Sequence, residues 1–151
     1  MRAFRFSLEP VLSYRRQVEE LRKREFALAH RAAQEQLQVL QRLYAEEGSA
    51  KDDLRDLERR LEIVDVLAQR RYLFGLGRRI QNGREVYRQR TEVQARARGA
   101  YVESRRARRV LERLRERKLS DWSMLTVREE QKLTDEVAAR ARAPWEAGWT
   151  A

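Results

Sequence analysis

Residue types that carry chemistry are scarce in this sequence and do not converge. Cysteine is absent, and the single histidine, His30, has only carboxylates of ordinary helix faces near it. A metal site is therefore not expected, and His30 is interpreted as a residue that packs between helices or faces solvent. Gly75 and Gly77 are not followed by the Gly-Lys-Ser/Thr element that would hold phosphates at a helix N-terminus.

Paired acidic residues near the end of the chain are the remaining candidates for acid–base chemistry. Glu129-Glu130 and Asp135-Glu136 occupy adjacent positions of a predicted helix, so the members of each pair diverge around its axis. Catalysis needs a concave pocket that excludes water, and a two-helix hairpin offers little of one. The sequence thus predicts a protein without enzymatic activity and without a cofactor.

The composition is typical of long helices rather than of a globular core. Charged residues make up 38% of the 151 residues, and only two prolines and six glycines occur. The length suits a single structural unit. No apolar run approaches the length of a membrane span, and no apolar segment of a signal peptide follows Met1. Together with the absence of cysteine, which fits a reducing compartment, this predicts a cytoplasmic chain.

A first long helix is predicted over about residues 10–62, because small and apolar residues recur there at alternating steps of three and four. They form a heptad seam, which is a stripe that faces a second helix. Gln36 and Glu47 interrupt the seam and Gly48 lies within it, but the phase resumes at Leu54, which predicts a weakened helix rather than a break. The members of the seam are Phe26, Ala29, Ala33, Leu40, Leu43, Leu54, Leu57, Leu61 and Val64.

Three places carry signals for a turn that reverses the chain. They are Gly48-Ser49, the stretch Ile63-Val64-Asp65, and the segment from Gly75 to Gly83. The second is favoured, because β-branched residues weaken a helix slightly and an aspartate can cap a new one. We therefore expect the turn at about residues 62–66.

The predicted fold is all-α, a long antiparallel two-helix coiled-coil hairpin that occupies residues 1–144 as one domain. Helix 1 covers about residues 10–62 and helix 2 about 66–142, so the second arm overhangs the first. The residue before a proline disfavours the helical conformation, so we expect the second helix to end before Pro144. Residues 145–151 are then a frayed tail.

The second arm carries a weaker seam and an excess of arginine. Residues 78–118 hold fifteen Lys/Arg against five Asp/Glu, which equals the net charge of +10 of the whole chain. Such a segment either binds nucleic-acid phosphates or is a solvated face whose arginine stems cover apolar surface. The segment has few aromatic residues and no base-reading motif, which favours the solvated face. The members of the second seam are Leu76, Ile80, Val86, Val93, Ala97, Ala100, Ala107, Leu111 and Leu114.

Three short motifs resemble the FliJ family of flagellar type III export proteins. The chain opens with Phe4-Arg-Phe6-Ser-Leu8-Glu-Pro-Val11-Leu12. Early in the second arm stands Tyr72-Leu73-x-x-Leu76-x-x-x-Ile80, and near its end stands Glu130-Gln131-Lys132-Leu133-Thr134-Asp135-Glu136. The resemblance covers residues 4 to about 141. The arginine-rich second arm departs from the family, whose middle is usually richer in acidic residues, and the tail after Pro144 has no family counterpart.

The resemblance implies a coiled coil that looks like the central stalk subunit of rotary ATPases. Such a chain would be a non-enzymatic adaptor that links the hexameric export ATPase to the cytoplasmic domain of the export gate and handles empty substrate chaperones. It would lie in the cytoplasm, peripheral to the inner membrane at the flagellar base, and serve motility and chemotaxis. The alternative function is that of a basic coiled-coil protein associated with nucleic acid or ribosomes.

The resemblance also implies two sets of partner-binding residues. The candidates for binding the export ATPase are Phe4, Phe6, Leu8, Glu130, Gln131, Asp135 and Glu136. The candidates for binding the export gate are Leu40, Leu43, Tyr72 and Leu76. Two of the gate candidates, Leu40 and Leu43, also belong to the predicted seam, so packing inside the hairpin is a competing role for them.

Overall fold

Two long α-helices make up the fold. The computed structural model describes residues 3–146, in which α1 spans Glu9–Arg60 and α2 spans Ile63–Glu146. The two helices pack against each other, and no strand occurs within residues 3–146. The predicted all-α helical hairpin is confirmed. Residues 147–151, which belong to the expected frayed tail, lie outside the described residues.

The turn between the helices consists of Leu61 and Glu62. Leu61 is in the left-handed region with a φ of 59°. Its N–H donates to Glu58 O at 3.2 Å, and the N–H of Glu62 donates to Leu57 O at 3.2 Å. These two bonds around a left-handed residue form a Schellman ending, which satisfies the last carbonyl groups of α1.

Helix α2 begins immediately after this turn. The carbonyl of Glu62 accepts the first bond of α2 from the N–H of Val66 at 2.9 Å. Asp65, expected as the cap, instead lies in the first turn, where a carboxylate interacts favourably with the helix dipole. The chain therefore reverses slightly earlier than the expected 62–66, because the left-handed Leu61 already redirects it.

Helix α2 is longer, and the first seam is shorter, than the sequence indicates. Helix α1 runs without interruption through Gly48, as the phase of its seam predicts. Helix α2 continues through Pro144 and ends two residues beyond it, at Glu146, rather than before the proline. Leu61 and Val64 are exposed and do not belong to the seam, since the turn moves them away from the opposite helix.

The chain divides into two compact units. The central unit comprises residues 17–105, and the terminal unit comprises residues 1–16 together with 106–151. Each unit contains a piece of α1 and a piece of α2.

In the central unit the two helix segments run antiparallel, because residue numbers fall along α2 as they rise along α1. Phe26 stacks on Tyr101, with ring centroids 6.2 Å apart and planes 6° from parallel. Further along α1, the carbonyl of Ala50 accepts a hydrogen bond from Gln69 Nε2 at 3.0 Å. The apolar residues buried in this unit are Ala33, Leu40, Leu43, Ala50, Leu76 and Ile80.

The predicted seam of α2 is partly wrong in the central unit. Val86 and Val93 are exposed, whereas Tyr87, Arg90 and Gln94 lie half-buried in the seam. These three positions continue the steps of three and four that begin at the buried apolar residues of α2. Polar side chains fill the seam there because their long apolar stems pack while their ends find partners.

In the terminal unit the first residues of α1 pack against α2 around the fully buried Leu12. Further along α2, every side chain from residue 127 to 140 is exposed. We call this stretch of α2, residues 127–140, the overhang.

Candidate interaction surfaces

An aromatic contact fixes the segment that precedes α1. The ring of Phe4 lies 6.0 Å from the ring of Trp122 on α2, with the planes tilted by 55°. Phe4 and Phe6 are half-buried, and Leu8 is at the edge of exposure. The three predicted ATPase-binding residues of this segment are therefore neither fully packed nor free in solvent.

An open groove of about 270 Å³ lies beside this aromatic contact. Its wall combines the rings of Phe4 and Phe6 with the charged side chains of Arg5, Glu9 and Arg115. Glu9 Oε2 lies 3.0 Å from Arg115 Nε, so one acid and one base of the groove neutralise each other.

A carboxylate in the same unit is held by two arginines. Glu112 accepts hydrogen bonds from Arg108, one helical turn away, and from Arg16 Nη2 at 3.4 Å. The hydrogen bond from Arg108 is the main cause that lowers the pKa of Glu112 below its ordinary value, and Arg16 adds to it. This group therefore stays ionised and ties α1 to α2.

The remaining predicted ATPase-binding residues lie on the overhang. Glu130, Gln131, Asp135 and Glu136 are all exposed. They are not brought together with the amino-terminal phenylalanines, because Phe4 packs at the level of Trp122, two turns of α2 earlier. Leu133 and Val137 are exposed beside them, so the overhang presents apolar and acidic side chains together.

Three of the four predicted gate-binding residues are in the interior of the central unit. Leu43 and Leu76 form a buried cluster with Ile80, and Leu40 is buried further along the seam. A partner could contact these leucines only if the two helices separated locally.

Tyr72 is the gate-binding candidate that reaches solvent. Tyr72 as a whole residue is 43% exposed. Its hydroxyl donates a hydrogen bond to the carboxylate of Glu46. This bond is the main cause that raises the pKa of Tyr72 above its ordinary value. Arg79 Nη1 lies 3.7 Å from the same carboxylate, so Tyr72 is part of a polar cluster across the two helices.

Two contacts between the helices were not predicted from the sequence. The guanidinium of Arg84 lies 5.5 Å from the ring centroid of Tyr44, a cation–π contact, and also donates to its hydroxyl. Gln36 Nε2 donates to Gly83 O at 3.2 Å. The second contact has a signal in the sequence. Gln36 occupies a seam position and the heptad phase continues after it, which indicates a polar side chain that is buried between the helices.

His30 is an exposed residue of the central unit, and its Nδ1 lies 3.0 Å from Gln94 Nε2. Within residues 3–146 no group of three or more histidines or carboxylates is placed to hold a metal ion. Over the same range, neither helix has an apolar stretch long enough to cross a membrane.

The fold is a helical hairpin that carries exposed apolar and charged side chains. The sequence model of one family, described as flagellar FliJ protein, matches residues 4–143. The chain belongs to the FliJ family, and it is therefore a protein of flagellar export. No curated protein and no solved structure gives a significant match to the chain.

Proposed function

We propose that this chain is a non-enzymatic stalk of the flagellar export apparatus. It links the export ATPase hexamer to the cytoplasmic domain of the export gate, handles empty export chaperones, and resides at the cytoplasmic face of the inner membrane. The observation that carries this proposal is the family match over residues 4–143, which includes both sets of predicted binding residues.

The terminal unit supplies the ATPase-binding surface in this proposal. An isolated helical segment of about 14 residues is marginal in water, so the overhang gains stability when a partner covers it. Burial of side chains such as Leu133 and Val137 contributes about 1.5–3 kcal/mol each. The exposed carboxylates Glu130, Asp135 and Glu136 then favour binding to a partner surface that carries basic groups.

The central unit supplies the gate-binding surface. Tyr72 contacts the gate. The buried leucines Leu40, Leu43 and Leu76 pack the two helices together and so keep the surface around Tyr72 rigid. An aromatic residue that is partly exposed suits this role, because tyrosine is enriched among the residues that contribute most to binding. The hydrogen bond to Glu46 restrains the ring before the partner arrives.

The alternative function, association with nucleic acid or ribosomes, relies on the arginines of residues 78–118. Several of these arginines already have partners inside the hairpin. Arg88 lies 2.7 Å from Glu85 and 2.6 Å from Glu92, and Arg108 is bound to Glu112. These ion pairs compete with phosphate groups, so this observation favours the export function.

The experiment that tests the proposal is a pull-down of bacterial cytosolic and membrane fractions with the purified chain, read by mass spectrometry. Recovery of the export ATPase together with the export gate supports the stalk. Recovery of ribosomes or nucleic acid that survives high salt contradicts it, because binding through phosphates alone weakens steeply with salt.

A further inference from the structure

A second apolar stripe runs along one side of the central unit, beside the seam rather than in it. Each of its residues immediately precedes a seam residue, so all are rotated by about 100° to the same side of their helix. Leu28 and Val93 are 69% and 55% exposed. We call this stripe the lateral face, and its apolar residues are Leu28, Ala32, Val39, Val86 and Val93.

A groove lies between the two helices at one part of the lateral face, beside Ala32 and Val93. It has a volume of about 250 Å³ and is lined by Ala29 and Ala32 of α1 and by Gln89, Arg90 and Val93 of α2. The small alanine side chains leave room there, and the guanidinium of Arg90 is held against α1 because Nη1 donates to Ala32 O at 2.9 Å. The lateral face is thus concave where Ala32 of α1 and Val93 of α2 lie on either side of this groove.

The charges at the ends of the lateral face are positive. Arg42 follows Val39 on α1 and Arg96 follows Val93 on α2, each one turn further along its helix. Among the residues that the structure describes, neither arginine has a carboxylate within 4.0 Å.

The carboxylates on the same side of the hairpin are already occupied. Glu35 Oε1 lies 3.0 Å from Arg31 Nε, and Glu46 lies 3.7 Å from Arg79 and accepts a hydrogen bond from Tyr72. The charge that the lateral face leaves without a partner is therefore basic at both ends of an apolar stripe.

We propose that the lateral face docks an acidic amphipathic helix of another protein. Arg42 lies four helical turns beyond Leu28, or about 21 Å at about 1.5 Å per residue, which sets the length of the docked helix at about 14–18 residues. Its apolar stripe fills the groove, and carboxylates near its two ends meet Arg42 and Arg96. This inference does not depend on the export function, since it uses only the exposure and charge of the central unit.

A second copy of the chain fits the lateral face less well. Two copies related by a two-fold axis place the Arg42 end of one copy against the Arg96 end of the other, which brings like charges together at both ends. Nucleic acid is also disfavoured, because the apolar centre of the face offers nothing to a phosphate backbone.

The test uses a fluorescent helical peptide of about 18 residues, with leucines at its heptad seam positions and glutamates elsewhere, titrated with the full chain. A peptide in which lysines replace the glutamates is its charge control. The test variant of the chain is Leu28→Gln with Val93→Gln, and the matched control is Leu67→Gln with Phe74→Gln. The control residues are exposed and apolar in the same unit but lie outside the lateral face.

The acidic peptide is expected to bind at least about tenfold more tightly than the basic one, and the test variant to lose about tenfold or more in affinity while the control changes less than about twofold. Equal binding of the two peptides, no binding, or equal loss in both variants would overturn the proposal. Concentration-dependent dimerisation of the chain that the test variant abolishes would overturn it too, since a second copy would then cover the face.

Discussion

The side chain of Gln36 on α1 crosses the seam and donates from Nε2 to the carbonyl oxygen of Gly83 on α2, at 3.2 Å. Both residues are buried, and the missing Cβ of Gly83 lets the two helices come close at this point. An apolar seam tolerates several alignments, whereas a buried polar side chain is satisfied in few of them. This contact therefore fixes the alignment of the helices in the central unit.

Gly83→Ala is expected to destabilise the hairpin. The new Cβ would lie 2.9 Å from Leu40 Cδ2, which is buried and has little room to move. Overpacking costs about 1–3 kcal/mol and outweighs the gain of about 1 kcal/mol in helix propensity. Gly77→Ala is the matched control, because nothing lies within 4 Å of its Cβ position, and it should stabilise. Urea unfolding that showed equal stabilisation by both changes would contradict the close approach.

Leu61→Gly is expected to stabilise the chain. The φ of 59° at Leu61 is costly for a residue with a Cβ, by about 1–2 kcal/mol, and glycine adopts it freely. The leucine side chain is 82% exposed, so little packing is lost. Leu67→Gly, in the regular part of α2, should instead destabilise by about 1 kcal/mol. Thermal unfolding that ranked the two variants in the opposite order would refute this account of the turn.

Glu112 is expected to make the terminal unit acid-sensitive. Its pKa in the folded chain is lowered by Arg108 and Arg16, so its stabilising effect is fully present above the ordinary value of 4.5 and is lost as the pH falls below it. Glu112→Gln should therefore lower stability at neutral pH and flatten the acid limb of the stability curve. Glu116→Gln, one turn further and exposed, is the control. The same acid limb in Glu112→Gln and in the unchanged chain would show that the ion pairs do not stabilise the fold.

Phe4→Ser combined with Phe6→Ser is expected to separate binding from folding. Both rings are half-buried, so their loss should lower the free energy of unfolding by less than about 2 kcal/mol. Affinity for the export ATPase hexamer should fall about tenfold or more, because two aromatic contacts are removed. Phe74→Ser, which alters an exposed ring of the central unit, should leave the affinity unchanged. If the double variant bound the ATPase normally, the phenylalanines would have only a structural role, which for Phe4 is packing on Trp122.

The first seam was predictable from the sequence because bulky and small apolar residues mark it directly. Ala33, Leu40 and Leu43 are buried as their spacing indicates. The prediction failed only at its end, where Leu61 adopts a left-handed conformation that no spacing rule reveals. A glycine at position 61 would have indicated the end of α1, because glycine is the usual residue in a left-handed helix ending.

The second seam was harder to predict because much of it is polar. Hydrophobicity indicates Val86 and Val93, whereas the repeat indicates Tyr87 and Gln94, one residue later in each case, with Arg90 between them. Strict continuation of the heptad would have found these positions. The predicted binding residues Tyr72 and Glu130 stay predictions, since their exposure permits a partner and does not identify one.

As a stalk, one chain is expected to contact the export ATPase and the export gate at the same time. The measurement is a sequential binding experiment in which an immobilised ATPase hexamer captures the chain and the cytoplasmic domain of the gate is then applied. Glu130→Lys with Glu136→Lys should abolish the first step, and Tyr72→Ser should weaken only the second. The account predicts that the gate domain binds to the captured chain and not to the hexamer alone. Displacement of the chain by the gate domain, or no second binding step, would contradict it.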